Sequence, residues 1–152
     1  MQLAYLADHV SHLPQLATWQ YAEFGYLNSA NTVGRYVERL TASLQKLALP
    51  TTFVALREDT LLGSASLVRQ TITHPHLSPW LSSVYVDPQY RGGGIASALV
   101  RRVERAAAEM GSERIYLFTP SSEKLYAGLG WELMEYLNYQ GLKIAIMSKT
   151  LI

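Results

Sequence analysis

The 152-residue chain contains no cysteine, which excludes disulfide bridges, a cysteine nucleophile and a zinc site with thiolate ligands. It also lacks an excess of charge of either sign, since 13 Lys and Arg residues are matched by 12 Asp and Glu, for a net charge of +1. A nucleic-acid-binding surface needs a basic excess, so the composition gives no case for a nucleic-acid partner. No apolar run reaches the ~18 residues of a membrane-spanning helix, and we expect no membrane partner.

The N-terminal segment lacks the features of a secretory signal. It has no basic region, and Asp8 comes too early for the apolar stretch of a signal peptide. We therefore expect a cytoplasmic protein. Apolar residues make up 49% of the chain and charged residues 16%, which is typical of a globular domain with an adequate core. We expect a single domain over residues 1–152, and the sequence leaves open whether the chain forms a homodimer.

The spacing of apolar residues predicts elements in the order β-α-α-β-β-β-α-β-α-β-β. The strands are predicted at 2–7, 52–56, 61–68, 81–86, 114–118, 131–137 and 142–147, and the helices at 13–26, 32–47, 95–110 and 121–127. Residues 71–79 are predicted to form a loop, and Pro50 is expected to stop the second helix. The apolar run 114–118 is typical of a strand buried on both faces of a parallel sheet. Together with strand 81–86 and helix 95–110, it predicts a right-handed βαβ unit.

The predicted helix 32–47 has an apolar stripe on one side. Residues three and four apart lie on one face of a helix, and this spacing predicts a buried face made of Val33, Tyr36, Val37, Leu40, Leu44 and Leu47.

Three consecutive glycines, Gly92 to Gly94, stand between the strand 81–86 and the helix 95–110. The free N–H groups and the positive dipole end of a helix N-terminus favour a phosphate there. A tight turn without a ligand is the plain alternative. A Walker P-loop is excluded because no Gly-Lys-Ser/Thr follows. A dinucleotide fingerprint fits poorly, since the glycines read G-x-G-x-x-S and residues 87–91 separate them from the strand.

Two segments carry a resemblance to a known family. Arg91-Gly-Gly-Gly-Ile-Ala96, within V-x-V-x-P-x-Y-R-G-x-G-I-A, resembles the R/Q-x-x-G-x-G/A loop of the GNAT superfamily of N-acetyltransferases. Leu125-Tyr-Ala-Gly-Leu-Gly-Trp131 is similar to that family's L-Y-x-x-x-G-F segment, with Trp in place of Phe. The order of elements matches along the whole chain, and the residue match is strong over 80–131.

This resemblance implies the fold and the cosubstrate. The expected fold is a single-domain α/β (α+β) GNAT-like fold, whose mixed, mostly antiparallel sheet of six to seven strands has one parallel βαβ pair and about four flanking helices. The implied cosubstrate is acetyl-coenzyme A, with its pyrophosphate on the glycine loop and its pantetheine arm between two splayed parallel strands. The residues implied to bind it are Val84, Tyr85, Val86, Arg91, Gly92, Gly93, Gly94, Ile95, Ala96, Ser97 and Thr119. Thr119 stands where many members carry Asn, so its contact with the pantetheine differs from theirs.

The resemblance also implies candidate catalytic residues. An amine attacks the thioester directly through a tetrahedral intermediate, and the N–H of Val86 can stabilise the developing oxyanion. Tyr126 is predicted to protonate the leaving thiolate; the alternative is an ordinary half-buried tyrosine. Strand 80–86 carries no Asp or Glu, where many relatives place one, so Ser82 and Ser83 are candidates to hold a chain of water. Glu23 is the remaining candidate base, and a solvated helix carboxylate is its alternative.

The predicted function is N-acetyl transfer from acetyl-coenzyme A to a primary amine of a small molecule or peptide. Two alternatives remain: a non-catalytic acyl-coenzyme A-binding or sensing module, and a nucleotide-binding protein that uses the glycine loop. We expect no metal site, because the histidine pairs at 9 and 12 and at 74 and 76 have no carboxylate at ligand spacing.

Overall fold

The computed structural model describes residues 1–71 and 73–151. Ile72, inside the predicted loop 71–79, and Ile152, the last residue of the predicted domain, lie outside the described residues. The strands are β1 (Gln2–Tyr5), β2 (Thr51–Arg57), β3 (Thr60–Val68), β4 (Trp80–Val86), β5 (Arg114–Thr119), β6 (Glu132–Tyr139) and β7 (Leu142–Thr150). They form one seven-stranded sheet in the order β1-β2-β3-β4-β5-β7-β6.

Neighbouring strands are antiparallel, except that β4 and β5 are parallel. The α-helices are α1 (Leu13–Phe24), α2 (Val33–Ala42), α3 (Ile95–Glu109) and α4 (Glu123–Gly128), and short 3-10 turns precede and follow α1. Because α3 connects the parallel pair, the predicted βαβ unit is present. The predicted α/β fold with a mostly antiparallel sheet of six to seven strands and about four helices is confirmed.

Side chains that alternate along β2 separate two cores. Phe53 and Ala55 pack with the buried residues of α3. Val54 and Leu56 point to the other face and pack with the buried residues of α1 and α2. This period-2 pattern in a strand buried from Thr51 to Leu56 places helices on both faces of the sheet.

A third cluster lies over the other half of the sheet. Trp80 at the start of β4 packs with Ile144 and Ile146 of β7, and the His74 ring stacks on Trp80 with 6.1 Å between the ring centroids. The α1–α2 pair covers strands up to β4, whereas this cluster covers β5 and β7. We therefore expect a cleft between the α1–α2 pair and the cluster around Trp80.

A buried ion pair connects α3 with the last strand. Glu104 of α3 accepts from Lys149 Nζ of β7 at 2.8 Å and from Trp131 Nε1 at 3.1 Å. Lys149 Nζ also donates to the carbonyl of Leu129 at 2.7 Å. Glu104 and Lys149 are mostly shielded from solvent, and each has two partners, which a charge of low exposure requires.

The predicted end of the second helix is wrong. The helix ends at Ala42 instead of residue 47, eight positions before Pro50. Ser43 Oγ donates to the Leu40 carbonyl at 2.7 Å and so satisfies a carbonyl at the helix end. Thr51 Oγ1 then donates to the Gln45 carbonyl at 2.6 Å, which holds the following segment outside the helix.

The buried face of α2 is also narrower than predicted. Tyr36 and Leu40 are buried, but Val33 and Val37 are exposed, and Leu47 lies outside the helix with 66% exposure. The shorter helix buries one narrow stripe against β2 and leaves the adjacent positions in solvent.

We expect Gly63→Ala to destabilise the protein. An added methyl group would clash with the Tyr85 carbonyl oxygen on the neighbouring strand and lie 3.2 Å from Val86 Cα. Overpacking of this kind costs ~1–3 kcal/mol, so the melting temperature should fall by about 3–10 °C.

The matched control is Gly34→Ala. The methyl there meets Thr32 Oγ1 at 3.7 Å, an ordinary contact, and alanine is the better helix former, so the melting temperature should hold or rise. Equal melting temperatures for Gly63→Ala and the wild type would contradict the close packing of β3 on β4.

Candidate active site

The two parallel strands separate soon after they meet. Trp80 of β4 is in register with Tyr116 of β5, and the Tyr116 N–H donates to the Pro79 carbonyl at 3.1 Å. Beyond this pair, no other residues of β4 and β5 are paired within the described part of the chain. Strands that diverge leave backbone groups unpaired along the gap, and a ligand or water must satisfy them.

A bulge in β4 accompanies the separation. Ser66 of β3 faces Ser82 and Ser64 faces Tyr85, so β4 carries one residue more than β3 over this stretch. Within the bulge, Ser83 has a φ of 54°, a left-handed conformation that costs a non-glycine residue ~1–2 kcal/mol. Such strain collects at functional sites and lasts only where the surrounding structure fixes it.

A cavity of about 750 Å³, which we call the cleft, opens where the strands diverge. It is lined by residues of α1, β4, β5 and α4, among others, and it brings together six predicted site residues: Glu23, Ser82, Ser83, Val84, Thr119 and Tyr126. Its volume falls in the ~300–1,000 Å³ range of small-molecule sites. The glycine loop 92–94 lies outside the lining of the cleft, past the end of β4.

The glycine loop has the conformation that the sequence predicts. Gly92 and Gly94 have φ values of 86° and 85°, which glycine adopts without steric cost. Gly94 is the N-cap of α3 and has no side chain with which to cap it. The N–H groups of Ile95, Ala96 and Ser97 therefore remain donors toward the space beyond the helix end. A phosphate group fits this arrangement.

Two of these loop residues also have structural roles. Ile95 is 6% exposed and packs in the core, so its backbone is the part that can contact a ligand. Methyl groups added at Gly92 or Gly94 would have no atom within 4 Å. The loop surface is thus open for close approach.

Arg91 ties the loop to the end of β4. Its Nε donates to the Val86 carbonyl at 2.8 Å, and its guanidinium lies 5.6 Å from the centre of the Tyr85 ring. Tyr85 in turn packs on Trp19 of α1 at a centroid distance of 5.5 Å. Tyr85 therefore contributes packing, whereas Arg91 keeps further N–H donors for an anion beside the glycines.

The direction of the Val86 N–H follows from its neighbour. The Asp87 N–H donates to the Leu62 carbonyl on the β3 side at 2.8 Å. Because successive residues of a strand point their backbone groups to opposite sides, the Val86 N–H points into the gap between β4 and β5. This is the direction that an oxyanion donor needs.

Thr119 at the end of β5 is buried. Its Oγ1 accepts from the backbone N–H groups of Ser121 at 3.3 Å and Ser122 at 2.9 Å. Its acceptor capacity is thus used within the chain, and its one O–H remains as a donor. An Asn at this position would offer a ligand both a donor and an acceptor.

Tyr126 on α4 lines the cleft and is 7% exposed. Its ring packs edge-on against Trp131 with 6.1 Å between the centroids. Burial raises the pKa of the Tyr126 phenol to about 12. The hydroxyl therefore carries its proton throughout the physiological pH range and can act as a donor.

Glu23, near the end of α1, lines the cleft with its carboxylate half exposed. Its Oε2 lies 4.0 Å from Arg91 Nη2. The carboxylate thus stands between the cleft and the arginine beside the glycine loop.

A smaller cavity of about 290 Å³, which we call the annex, adjoins the cleft. The two cavities share the lining residues Tyr36, Arg39, Val68, Ser82 and Ser83. Arg69, Ser43, Thr52 and Ser66 line the annex.

A chain of hydroxyl groups runs along the annex. Ser43 Oγ and Thr52 Oγ1 are 2.7 Å apart, as are Thr52 Oγ1 and Ser66 Oγ. Ser43 gives its one proton to the Leu40 carbonyl, so it accepts from Thr52, and Thr52 accepts from Ser66. The Ser66 oxygen keeps a free lone pair at the end of this chain.

Four residues that line the annex were not predicted from the sequence: Arg39, Arg69, Thr52 and Ser66. One signal was present: Ser64 and Ser66 place hydroxyls at alternate positions on one face of an otherwise apolar strand. Small polar residues at period 2 under a helix pair indicate a polar lining.

Within the described ranges, no group of three or more His, Asp or Glu side chains is placed to hold a metal ion. None of the helices in residues 1–71 and 73–151 is long and apolar enough to cross a bilayer.

The family model of the Acetyltransferase (GNAT) family matches residues 13–137, which is most of the chain. The chain belongs to the GNAT acetyltransferase family. This confirms the predicted resemblance and the enzyme class, and with them acetyl-coenzyme A as the cosubstrate. The matched range includes the glycine loop and the segment around Tyr126 of this GNAT acetyltransferase.

Solved structures share the fold of this GNAT chain at low sequence identity. An aminoglycoside 6'-N-acetyltransferase complexed with coenzyme A is 18% identical, with a TM-score of 0.76 over 100% of this chain and 98% of its own. A ribosomal-protein-alanine N-acetyltransferase from Brucella melitensis is 20% identical, with a TM-score of 0.76 over 99% of each chain. An N-acetyltransferase from Staphylococcus aureus is 19% identical, with a TM-score of 0.77 over 100% of each chain. A comparison with curated protein sequences found no match.

We expect Gly94→Asp to abolish coenzyme A binding and leave the fold mostly intact. Its carboxylate would repel a pyrophosphate, and its side chain would fill the open approach to the loop. Isothermal titration with coenzyme A and a thermal melt on the same sample measure both effects.

The matched control is Gly94→Asn, which has the same size and tolerates a positive φ but adds no charge. Its affinity should lie between those of the wild type and the Asp variant. Wild-type affinity in Gly94→Asp would contradict phosphate binding at this loop.

Proposed function

We propose that this single domain moves an acetyl group from acetyl-coenzyme A to the primary amine of a small molecule or peptide. The observation that carries this proposal is the gap between β4 and β5, with the open glycine loop past one end and Tyr126 in its wall. A thioester arm that follows this gap from the loop reaches the cleft. The cosubstrate supplies an activated acetyl group, and the chain supplies binding, orientation and proton donors.

The N-terminal donors of α3 and Arg91 bind the pyrophosphate in this proposal. The backbone of Val84 and Val86 pairs with the pantetheine, and the Thr119 hydroxyl donates to one of its carbonyls. A backbone N–H of β4 that points into the gap faces the acetyl oxygen, where negative charge develops when the neutral amine attacks. A donor placed in advance at that oxygen stabilises the tetrahedral intermediate more than the ground state.

Tyr126 donates a hydrogen bond to the departing sulfur. Its pKa, raised by burial to about 12, lies roughly 3–4 units above the ~8.5 of a thiol, so complete transfer of its proton would cost about 5 kcal/mol. Stabilisation of the thiolate by the hydrogen bond avoids this cost. The proton that finally reaches the thiolate then comes from the ammonium product of the attack.

Glu23 has two candidate roles. As a base it would take the proton of the amine through water, since it lines the cleft. As a partner of Arg91, 4.0 Å away, it would position the guanidinium beside the glycine loop. We favour the positioning role, because the carboxylate is half exposed and faces a cation.

The family match favours the enzyme over the predicted alternative of a non-catalytic sensing module. Thioester cleavage that depends on added amine supports the enzyme, whereas coenzyme A binding without turnover supports the sensor. The cytoplasmic location remains a prediction, and the sequence leaves the formation of a homodimer open.

We expect Tyr126→Phe to lower kcat by roughly 10²-fold, the range for loss of one hydrogen-bond donor to a charge that develops in the transition state. The KM for acetyl-coenzyme A should stay within a few-fold, because the ring still packs against Trp131. The phenol keeps its proton between pH 6 and 10, since its pKa is about 12. The rate should therefore rise with pH as the amine loses its proton, and the variant should lower the plateau without moving the midpoint.

A tyrosine with a purely structural role would behave differently. Its loss would cost about 1 kcal/mol of stability and leave the turnover of the folded fraction near normal. Measuring kcat against pH and the melting temperature on one preparation separates the two roles.

For Glu23→Gln we expect a change in kcat of less than about tenfold, since a true general base supplies ~10²–10⁴. The KM for acetyl-coenzyme A should change instead, because Arg91 loses its charged partner. The control is Glu38→Gln, an exposed carboxylate on α2 that lines neither cavity. A thousandfold loss of kcat with unchanged coenzyme A binding would make Glu23 the base.

A further inference from the structure

We propose that the amine acceptor is a small molecule with a carboxylate, and that Arg39 and Arg69 bind this carboxylate in the annex. The inference rests on the proposed acetyl transfer and names the substrate class for it.

The annex is placed to receive the far end of an acceptor. It meets the cleft at Ser82 and Ser83 of β4, next to Val84 and Val86, where the acetyl group would lie. An amine that attacks there extends its remaining atoms away from the cosubstrate. The annex volume of about 290 Å³ equals that of about ten water molecules at ~30 Å³ each, which suits a small molecule.

The charge of the lining favours an anion. Arg39 lines both cavities and Arg69 lines the annex, and no Asp or Glu is among the described residues that line the annex. Glu23 is the acidic residue of the cleft, and it stands 4.0 Å from Arg91. A polycationic acceptor would meet two guanidinium groups here without a carboxylate to balance its charge, which disfavours its binding.

Arg39 is held in position before any ligand arrives. Its Nη2 donates to Asn31 Oδ1 at 3.0 Å, and its guanidinium lies 5.0 Å from the centre of the Tyr36 ring. A guanidinium has five N–H donors in a planar fork that matches a carboxylate. Most of these donors remain available after the bond to Asn31.

The hydroxyl chain offers a hydrogen-bond acceptor to the amine end of the acceptor molecule. The Ser66 oxygen has a free lone pair because Ser66 gives its proton to Thr52. Ser66 is in register with Ser82, so this acceptor lies at the β4 side of the annex. It can accept an N–H of the amine where the annex meets the cleft, while the arginines bind the carboxylate within the annex.

The test compares amines that differ in one group. A series of ω-amino acids of increasing length is assayed against the corresponding carboxamides and against spermidine, with acetyl-coenzyme A as donor. Hydrogen bonds to charged groups contribute enough to favour the carboxylate by about 10–100-fold in kcat/KM at the best length. Equal rates for acid and amide, or a preference for spermidine, would overturn the proposal.

Arginine variants locate the effect. Arg39→Gln and Arg69→Gln should each raise the KM for the amino acid by about tenfold or more and leave the KM for acetyl-coenzyme A unchanged, and the double variant should lose the preference. Arg35→Gln is the matched control, because Arg35 lies one turn earlier on α2 and lines neither cavity. A preference that survives in the double variant would overturn the assignment to the annex.

A binding measurement separates this inference from the proposed function. If coenzyme A binds but no amine is acetylated, the proposed function fails. Titration of the ω-amino acid into the coenzyme A complex then still tests the annex, since binding should weaken in the double arginine variant and hold in Arg35→Gln. Equal binding to all three proteins would overturn the inference by itself.

Discussion

The separation of β4 from β5 is the constraint on which the rest of this site depends. Two parallel strands that stayed paired would satisfy each other's backbone groups and leave no space between them. Here one register pair at Trp80 is followed by a bulge with a left-handed Ser83. The cost of that residue is sustained by the packing around it, and the unpaired backbone that results can recognise an extended ligand through main-chain groups alone.

The elements that follow β4 and β5 place functional groups at the edges of the gap. The carboxyl end of β4 leads into the glycine loop and α3, and the carboxyl end of β5 leads into α4 with Tyr126. Two side chains proposed to contact the cosubstrate are already engaged within the chain: Arg91 with Val86, and Thr119 with the turn after β5. These bonds fix the side chains before binding, so less conformational entropy remains to be lost when a ligand arrives.

Much of this arrangement could be predicted from the sequence, because its signals are local. Apolar periodicity identified the seven strands and four α-helices that the described residues form, and the glycines with the segment around Tyr126 identified the family. The end of α2 could not be predicted this way, since Ser43 ends the helix with the help of Thr52 on another element. The annex could not be predicted for the same reason. Its lining comes from α2, β2, β3 and β4, and no single stretch of sequence contains it. The proposed acceptor side of the site therefore depends on tertiary contacts, whereas the proposed cosubstrate side depends on local motifs.

The buried pair of Glu104 and Lys149 bears on how the gap can widen. α3 packs on β2, β3 and β4, and Glu104 bonds from it to β7 on the far side of the gap. On this face of the sheet, α3 thus connects the strands on the two sides of the gap between β4 and β5, behind the cleft. On the opposite face, α1 and α2 cover only the first half of the sheet. If the cleft opens, α3 therefore acts as the fixed side that holds both halves of the sheet together. The helices α1 and α2 are the elements free to move away from the sheet.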